Sequence, residues 1–195
     1  ELTPILKSFI RAYPRISVQL QYQRSNLIYD AVISQKIDLG IVAYPREAPR
    51  IEVISFANDE MVFIAAPDHR LARKSIITLS DLNGENFITF DEGIPTGDVV
   101  RTLLEKHQIS VKLQTHNENI DTLKRSVEVG LGVSIIPRKT VSEEIKKRVL
   151  VAKKIQNIKL ERPIGIVLAR KRALDYAAVL FLDSLKAYSS GNKLL

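Results

Sequence analysis

The chain has 195 residues, 45% hydrophobic and 26% charged, enough apolar mass for one large core or two small ones. It holds no cysteine, which excludes disulfides and thiolate metal sites and is compatible with a reducing cytoplasm. The net charge of +7 invites a nucleic-acid reading, but nine basic residues against three acids crowd positions 138–162, and that stretch reads as a solvated face.

No apolar run approaches the roughly 20 residues that a membrane span needs. The opening residues show no basic stretch followed by an apolar one, so no signal peptide is visible. Met61 is the sole methionine. The chain is therefore expected to be a piece of a longer protein, with any further module upstream.

Helical and strand patterns alternate along the chain. Residues 4–13 read as an amphipathic helix with Ile5, Leu6, Phe9 and Ile10 on one stripe, opened by Thr3-Pro4 and closed by Pro14. Residues 16–21 alternate apolar and polar, as a strand does. A helix is predicted over 26–35, capped by Ser25 or Asn26. Leu39-Gly40-Ile41-Val42 is short and wholly apolar, which suits a parallel strand covered on both faces. Strands follow at 52–56 and 61–66, a helical turn at 79–82, and another strand at 87–90.

The first pattern then returns. Residues 96–107 are helical, 109–114 a strand, and a further helix starts near Asn119. Ile109-Ser110-Val111-Lys112-Leu113-Gln114 matches Ile16-Ser17-Val18-Gln19-Leu20-Gln21 at five of six positions, 93 residues apart. Leu131 to Pro137 echoes Leu39 to Pro45 at an offset of 92. Two lobes of like topology are expected, each with a parallel sheet and right-handed crossovers. A strand at 164–169 and a helix at 174–188, burying Leu174, Ala177, Ala178, Phe181, Leu182 and Leu185, complete the chain. Strands at 61–66 and 162–169 are the natural crossings between lobes, and a two-strand hinge suits a ligand cleft.

In a parallel α/β sheet, ligands sit beyond the carboxyl ends of the strands, where helix N-termini gather. The repeat thereby nominates Arg24, Ser25 and Asn26 in one lobe, and Pro95-Thr96 with Asn117 and Asn119 in the other. Together they suit a small carboxylate or other anion. Each has a plainer role: Ser, Thr and Asn cap helices, and Arg24 is either an anion partner or a solvated arginine. The strand end at Ala43-Tyr44 flanks the ligand or simply packs; so does Phe90.

Enzyme readings are thin. His69, His107 and His116 show no metal spacing, and there is no nucleophile elbow or phosphate-cradling loop. The neighbours Asp59 and Glu60, like Asp91 and Glu92, fall on opposite sides of a strand. No catalytic residue, cofactor or metal is expected.

The segments also resemble a known family. Leu2-Thr3-Pro4-Ile5-Leu6-Lys7-Ser8-Phe9 with Tyr13-Pro14 and Val18-Gln19-Leu20 is similar to the opening of LysR-type effector domains. So are Lys36-Ile37-Asp38-Leu39-Gly40-Ile41-Val42 and the Asp68-His69-Arg70-Leu71-Ala72 turn. Val127 to Pro137 resembles the family's V..G.GV..LP segment, and Arg170-Lys171-Arg172, Leu174 and Phe181-Leu182 its tail. The resemblance implies an α/β fold of two Rossmann-like lobes joined by a two-strand hinge, periplasmic-binding-protein-like (type 2). Lobe I would take 1–66 and 162–195, and lobe II 67–161. It also implies a cytoplasmic bacterial regulator that binds its effector between the lobes, and no membrane. DNA would be bound only through an N-terminal winged helix-turn-helix absent here. The family pairs as dimers and tetramers, and its ligand shifts the lobes and so the DNA-binding domains. By position, the resemblance supports Arg24, Ser25, Asn26, Ala43, Tyr44, Pro95 and Thr96 as effector contacts; Asn117 and Asn119 extend it through the repeat. The family's first strand, with its following polar residue, would lie upstream of Glu1. An extracytoplasmic solute-binding protein shares this fold and is the alternative.

Overall fold

The computed structural model describes residues 2–171 and 173–190. They divide into two compact units: unit 1, up to Ala57 and again from Pro163 onward, and unit 2, Asn58–Arg162. The first passage between them falls inside a long strand, earlier than the residue 66 read from the sequence.

In unit 1, helix α1 (Leu2–Ala12) buries Ile5 and Phe9, and the Phe9 ring meets Tyr13 at 5.0 Å and Phe181 at 4.9 Å. The helix already includes Thr3, which therefore does not cap it, and Ile10 is exposed rather than on the buried stripe. Residues 16–21 take no regular secondary structure and join no ladder among the described residues, which corrects the predicted strand. Their alternation still has a physical side, because Ile16 and Val18 pack on the core. Helix α2 (Ser25–Ile33) has Arg24 as its N-cap residue, so Ser25 and Asn26 lie in its first turn instead of capping it.

Strand β1 (Gly40–Ala43) pairs antiparallel with β7 (Glu161–Ala169), which corrects the expected parallel sheet. The two strands predicted at 52–56 and 61–66 are one, β2 (Ile51–Ala65). The last helix, α6 (Tyr176–Ser189), is capped by Asp175, whose carboxylate accepts the Ala178 N–H at 2.7 Å. It buries Ala178, Phe181, Leu182 and Leu185; Leu174 precedes it but packs on the same core. Arg172 lies outside the described residues.

In unit 2, β2 pairs antiparallel with β5 (Ser134–Pro137) and β6 (Val151–Lys153). Strand β3 (Asn86–Phe90) pairs in parallel with β4 (Lys112–Asn117), and Phe87 bridges Val133 just ahead of β5. Helices α3 (Pro95–Lys106) and α4 (Ile120–Glu128) follow β3 and β4, and a short helix α5 (Ser142–Lys146) follows β5. The apolar run of β2 is explained by its two covered faces. Met61, Phe63 and Ala65 join one core with Leu71, Leu82 and Phe87; Val62 and Ile64 join another with Ile88, Leu123 and Val127.

Gly132 lies where this core is tightest. A Cβ there would drive into the carbonyl of Asn86, which accepts the Val133 N–H at 2.9 Å. Gly132→Ala is expected to lower the unfolding free energy by about 1–3 kcal/mol in urea titrations.

The turn at Arg70–Arg73 carries a titratable cap. His69 Nδ1 accepts the Leu71 N–H at 3.2 Å, and Nε2 faces Glu85 at 3.4 Å. Burial, and then the adjacent Arg70, hold His69 below its ordinary 6.5, with Asp68 opposing. Glu85 favours the charged ring but already neutralises Arg70, and protonating Nδ1 would forfeit the Leu71 hydrogen bond. A histidine depressed in the folded state contributes stability above its unfolded pKa, and loses it as pH falls below about 6.5. The melting temperature should therefore drop between pH 7 and 5.5. His69→Asn, which keeps a capping acceptor and does not titrate, should flatten that slope.

Candidate functional site

Strand register builds the edge on which the predicted residues of unit 2 stand. Phe90 lies opposite Asn117, and Phe87 bridges Val133, so β3, β4 and β5 finish at one edge. The chain turns tightly there. Asp91 N–H donates to the Asn117 carbonyl at 3.1 Å, Ile94 N–H to the Asp91 carbonyl at 3.2 Å, and Gly93 takes φ +78°. Helix α3 then begins at Pro95, with Ile94 in the cap position, which has no side-chain acceptor for the first-turn N–H groups. Gly97 lets the helix start flush on the strand end, since a Cβ would stand 2.9 Å from that of Phe90. Thr96 is buried in this first turn.

The α4 start is different. Asn119 Oδ1 accepts the Thr122 N–H at 2.9 Å and its hydroxyl at 3.0 Å, so this side chain does the capping that its residue type favours. Asn117, by contrast, is 5% exposed, and its Nδ2 is buried with no hydrogen-bond partner among the described residues. An unmet buried donor costs about 1–3 kcal/mol. Two buried hydroxyls were missed from the sequence: Ser134, whose Oγ donates to the Ile88 carbonyl at 2.8 Å, and Thr89. The signal for Thr89 was a lone hydroxyl inside Phe87-Ile88-Thr89-Phe90.

In unit 1, Arg24 and Asn26 are exposed and Ser25 half-buried at the start of α2. Ala43 ends β1. Tyr44 follows with φ +50°, and its N–H donates to the Pro163 carbonyl at 2.8 Å. A non-glycine residue in this left-handed region costs about 1–2 kcal/mol. The Tyr29 hydroxyl, from α2, accepts the Arg46 N–H at 2.7 Å and ties that helix to the chain just beyond.

Lys124 of α4 anchors the segment after β5. Its ammonium meets Glu144 at 2.7 Å, Asp121 at 3.1 Å and the Thr140 carbonyl at 2.9 Å. Burial acts to lower its pKa, but the hydrogen bonds to Glu144 and Asp121 prevail and hold it above its ordinary value. Glu144 is correspondingly held low by Lys124 against its own burial. Within the basic stretch, Lys146, Lys154 and Lys159 pair with Glu143, Glu60 and Glu161. Among the described residues, no three His, Asp or Glu side chains gather closely enough to hold a metal ion, and no helix is long and apolar enough to cross a membrane.

If Asn117 is kept for a ligand rather than for the fold, an apolar side chain there should not destabilise the free protein. Asn117→Leu is expected to leave the unfolding midpoint unchanged or to raise stability by up to about 1–3 kcal/mol.

Comparison with known proteins places this geometry. Residues 2–190 match the family model described as LysR substrate binding domain. A probable RuBisCO transcriptional regulator from Cyanidium caldarium is 32% identical over 183 residues, covering 91% of this chain and 58% of the relative. The chain thus spans little more than half the length of that curated relative. The regulatory domain of CcmR from Synechocystis PCC6803, solved in complex with 2-PG, is 28% identical with a TM-score of 0.88, covering 96% of this chain and 90% of that one. The effector binding domain of QuiR in complex with shikimate, 21% identical, superposes with a TM-score of 0.87 over 99% and 92% of the two chains. The α/β, type 2 periplasmic-binding-protein-like fold read from the sequence is the fold of these domains.

Proposed function

Because the chain belongs to the LysR substrate-binding domain family, we propose that it is the small-molecule-sensing part of a LysR-type DNA-binding transcriptional regulator, with a small anion as effector. One observation carries this reading: the Asn117 amide is buried and unpaired on the same strand edge where α3 opens with uncapped N–H groups. Unpaired donors under a helix start suit a carboxylate or another anion. The solved relatives each hold a small molecule, 2-PG in CcmR and shikimate in QuiR.

In unit 2 the proposal assigns effector contact to Pro95, Thr96 and Asn117, with Asn119 holding the helix that adjoins them. In unit 1 it assigns contact to Arg24, Ser25, Asn26, Ala43 and Tyr44, on the sequence argument and the strained Tyr44 backbone. No catalysis and no cofactor enter. The intact protein would work in the cytoplasm, bind DNA through a separate N-terminal module, and associate as a homodimer and tetramer. The repeat supports such pairing, because it leaves corresponding apolar side chains open: Leu20 is 47% and Leu113 52% exposed. The matched relatives are transcriptional regulators, which favours sensing over solute carriage.

The test is thermal unfolding of the chain against small metabolites, weighted toward carboxylates and other anions. A true effector at a hundredfold over its Kd should add about 2.7 kcal/mol of stability. Thr96→Val and Asn117→Leu should each abolish the shift while keeping the fold. A saturable shift that neither change touches would move the site elsewhere.

A further inference from the structure

Several charged side chains of unit 2 find each other: Asp59 accepts from Arg162 at 2.6 Å, Lys124 meets Glu144 at 2.7 Å, and Lys154 meets Glu60 at 2.6 Å. Two oppositely charged side chains of unit 1 share a groove and do not. Arg15 and Asp175 both line an open groove of about 580 Å³ between the chain just past α1 and the start of α6. That volume falls within the roughly 300–1,000 Å³ of small-molecule sites. Both side chains are exposed. They form no ion pair with each other, and neither has an ionic partner among the described residues.

The groove has three kinds of surface. Tyr13, Ile16 and Leu180 line it with apolar atoms, half-buried and packed on the core of unit 1. Asp175 is its acceptor: Oδ1 takes the Ala178 N–H at 2.7 Å, which leaves the second carboxylate oxygen to give. The end of α1 adds to that acceptor side. Pro14 has no N–H for the Ile10 carbonyl four residues back, and no N–H reaches the Ala12 carbonyl among the described residues. The negative end of the helix therefore opens beside Ala12, which also lines the groove. Arg15 is the donor, with a planar guanidinium whose N–H groups fit a carboxylate.

An occupant that answers all three carries an anion, a cation and an apolar body close together. A simple anion would be repelled by Asp175, a simple cation by Arg15, and a neutral apolar molecule would leave both charges unanswered. We propose that this groove is a binding site, distinct from the Asn117 edge of unit 2, for an α-amino acid with an apolar side chain. The carboxylate of the ligand takes Arg15, its ammonium takes Asp175 and the end of α1, and its side chain lies on Tyr13, Ile16 and Leu180.

Calorimetric titration of the chain with L-phenylalanine and L-leucine, and with the N-acetyl and amide derivatives of each, tests this at about pH 6, where an α-amine keeps its proton. At least one of the two amino acids should bind saturably, and its derivatives, each short of one charge, about two- to fivefold more weakly. Arg15→Gln should weaken that amino acid by a similar factor and erase its advantage over the amide. Asp175→Asn keeps a carbonyl that caps α6, so the melting temperature should hold while the advantage over the acetylated form disappears. Asn117→Leu should leave these affinities unchanged. Equal binding of an amino acid and its two derivatives, or an affinity that neither Arg15→Gln nor Asp175→Asn lowers, would overturn the site. Binding lost in Asn117→Leu but kept in Arg15→Gln would move the amino acid to the unit 2 edge, against the proposal. No binding of either amino acid by the wild type would overturn it outright.

Discussion

The polar edge of unit 2 exists because β3 lies between β4 and the approach to β5, with a one-residue register shift between Phe87 and Ile88 that sets Phe90 opposite Asn117. Pairing Phe90 with Asn117 and Phe87 with Val133 brings three strand ends level. The helices that follow must then start from that line, and their first N–H groups have no partners within the helix. A slip of one residue would turn Asn117 to the other face and bury the wrong neighbours. Gly97 and Gly132 are the steric conditions of the arrangement. One lets α3 seat against Phe90, and the other lets the chain pass the Asn86 carbonyl.

Buried polar groups in this unit fall into two kinds. Ser134 and the largely but not fully buried Lys124 are fully used: the hydroxyl bonds the Ile88 carbonyl, and the ammonium spends its three donors on Asp121, Glu144 and Thr140. They join strand to strand and helix to loop. Asn117, Asp59 and Arg162 each keep an atom unmet, at a cost in stability that a hydrophobic residue would avoid. Arg101 on α3 and Glu144 on α5 also keep one buried atom unmet, so unmet groups are not confined to the strand edge on which Asn117 stands.

Much of the architecture was legible in the sequence, because it rests on local signals. Asn119 caps α4 as its residue type suggests, Pro95 opens α3, and the two-faced burial of the 61–66 run follows from its unbroken apolarity. The parts that failed depend on partners distant in the chain. An apolar run at 39–42 says that both faces are covered, not which way its neighbour runs, and β7 runs antiparallel. The matching hexapeptides diverge for the same reason. Lys112 and Leu113 find β3, while Ile109 and Ser110 are drawn off to Leu104 and Asn83, and 16–21 finds no ladder among the described residues. At the candidate site, hydroxyls and amides at helix starts were visible. The left-handed Tyr44 was not, since nothing in a tyrosine announces positive φ, and the meeting of Asp59 with Arg162 spans 103 residues.

That dependence on distance also orders the folding of the chain. Asn86 pairs with Lys112, a closure of 26 residues, with helix α3 formed in between. Gly40 must wait for Val167, 127 residues further on. Local closures are fast and distant ones slow. On a ribosome, which delivers the chain from its N-terminus, β1 emerges early yet has no ladder until nearly everything else has been made. The half of the molecule that is written first is therefore finished last, and β1 spends the interval as an unpaired apolar strand in need of protection from other chains.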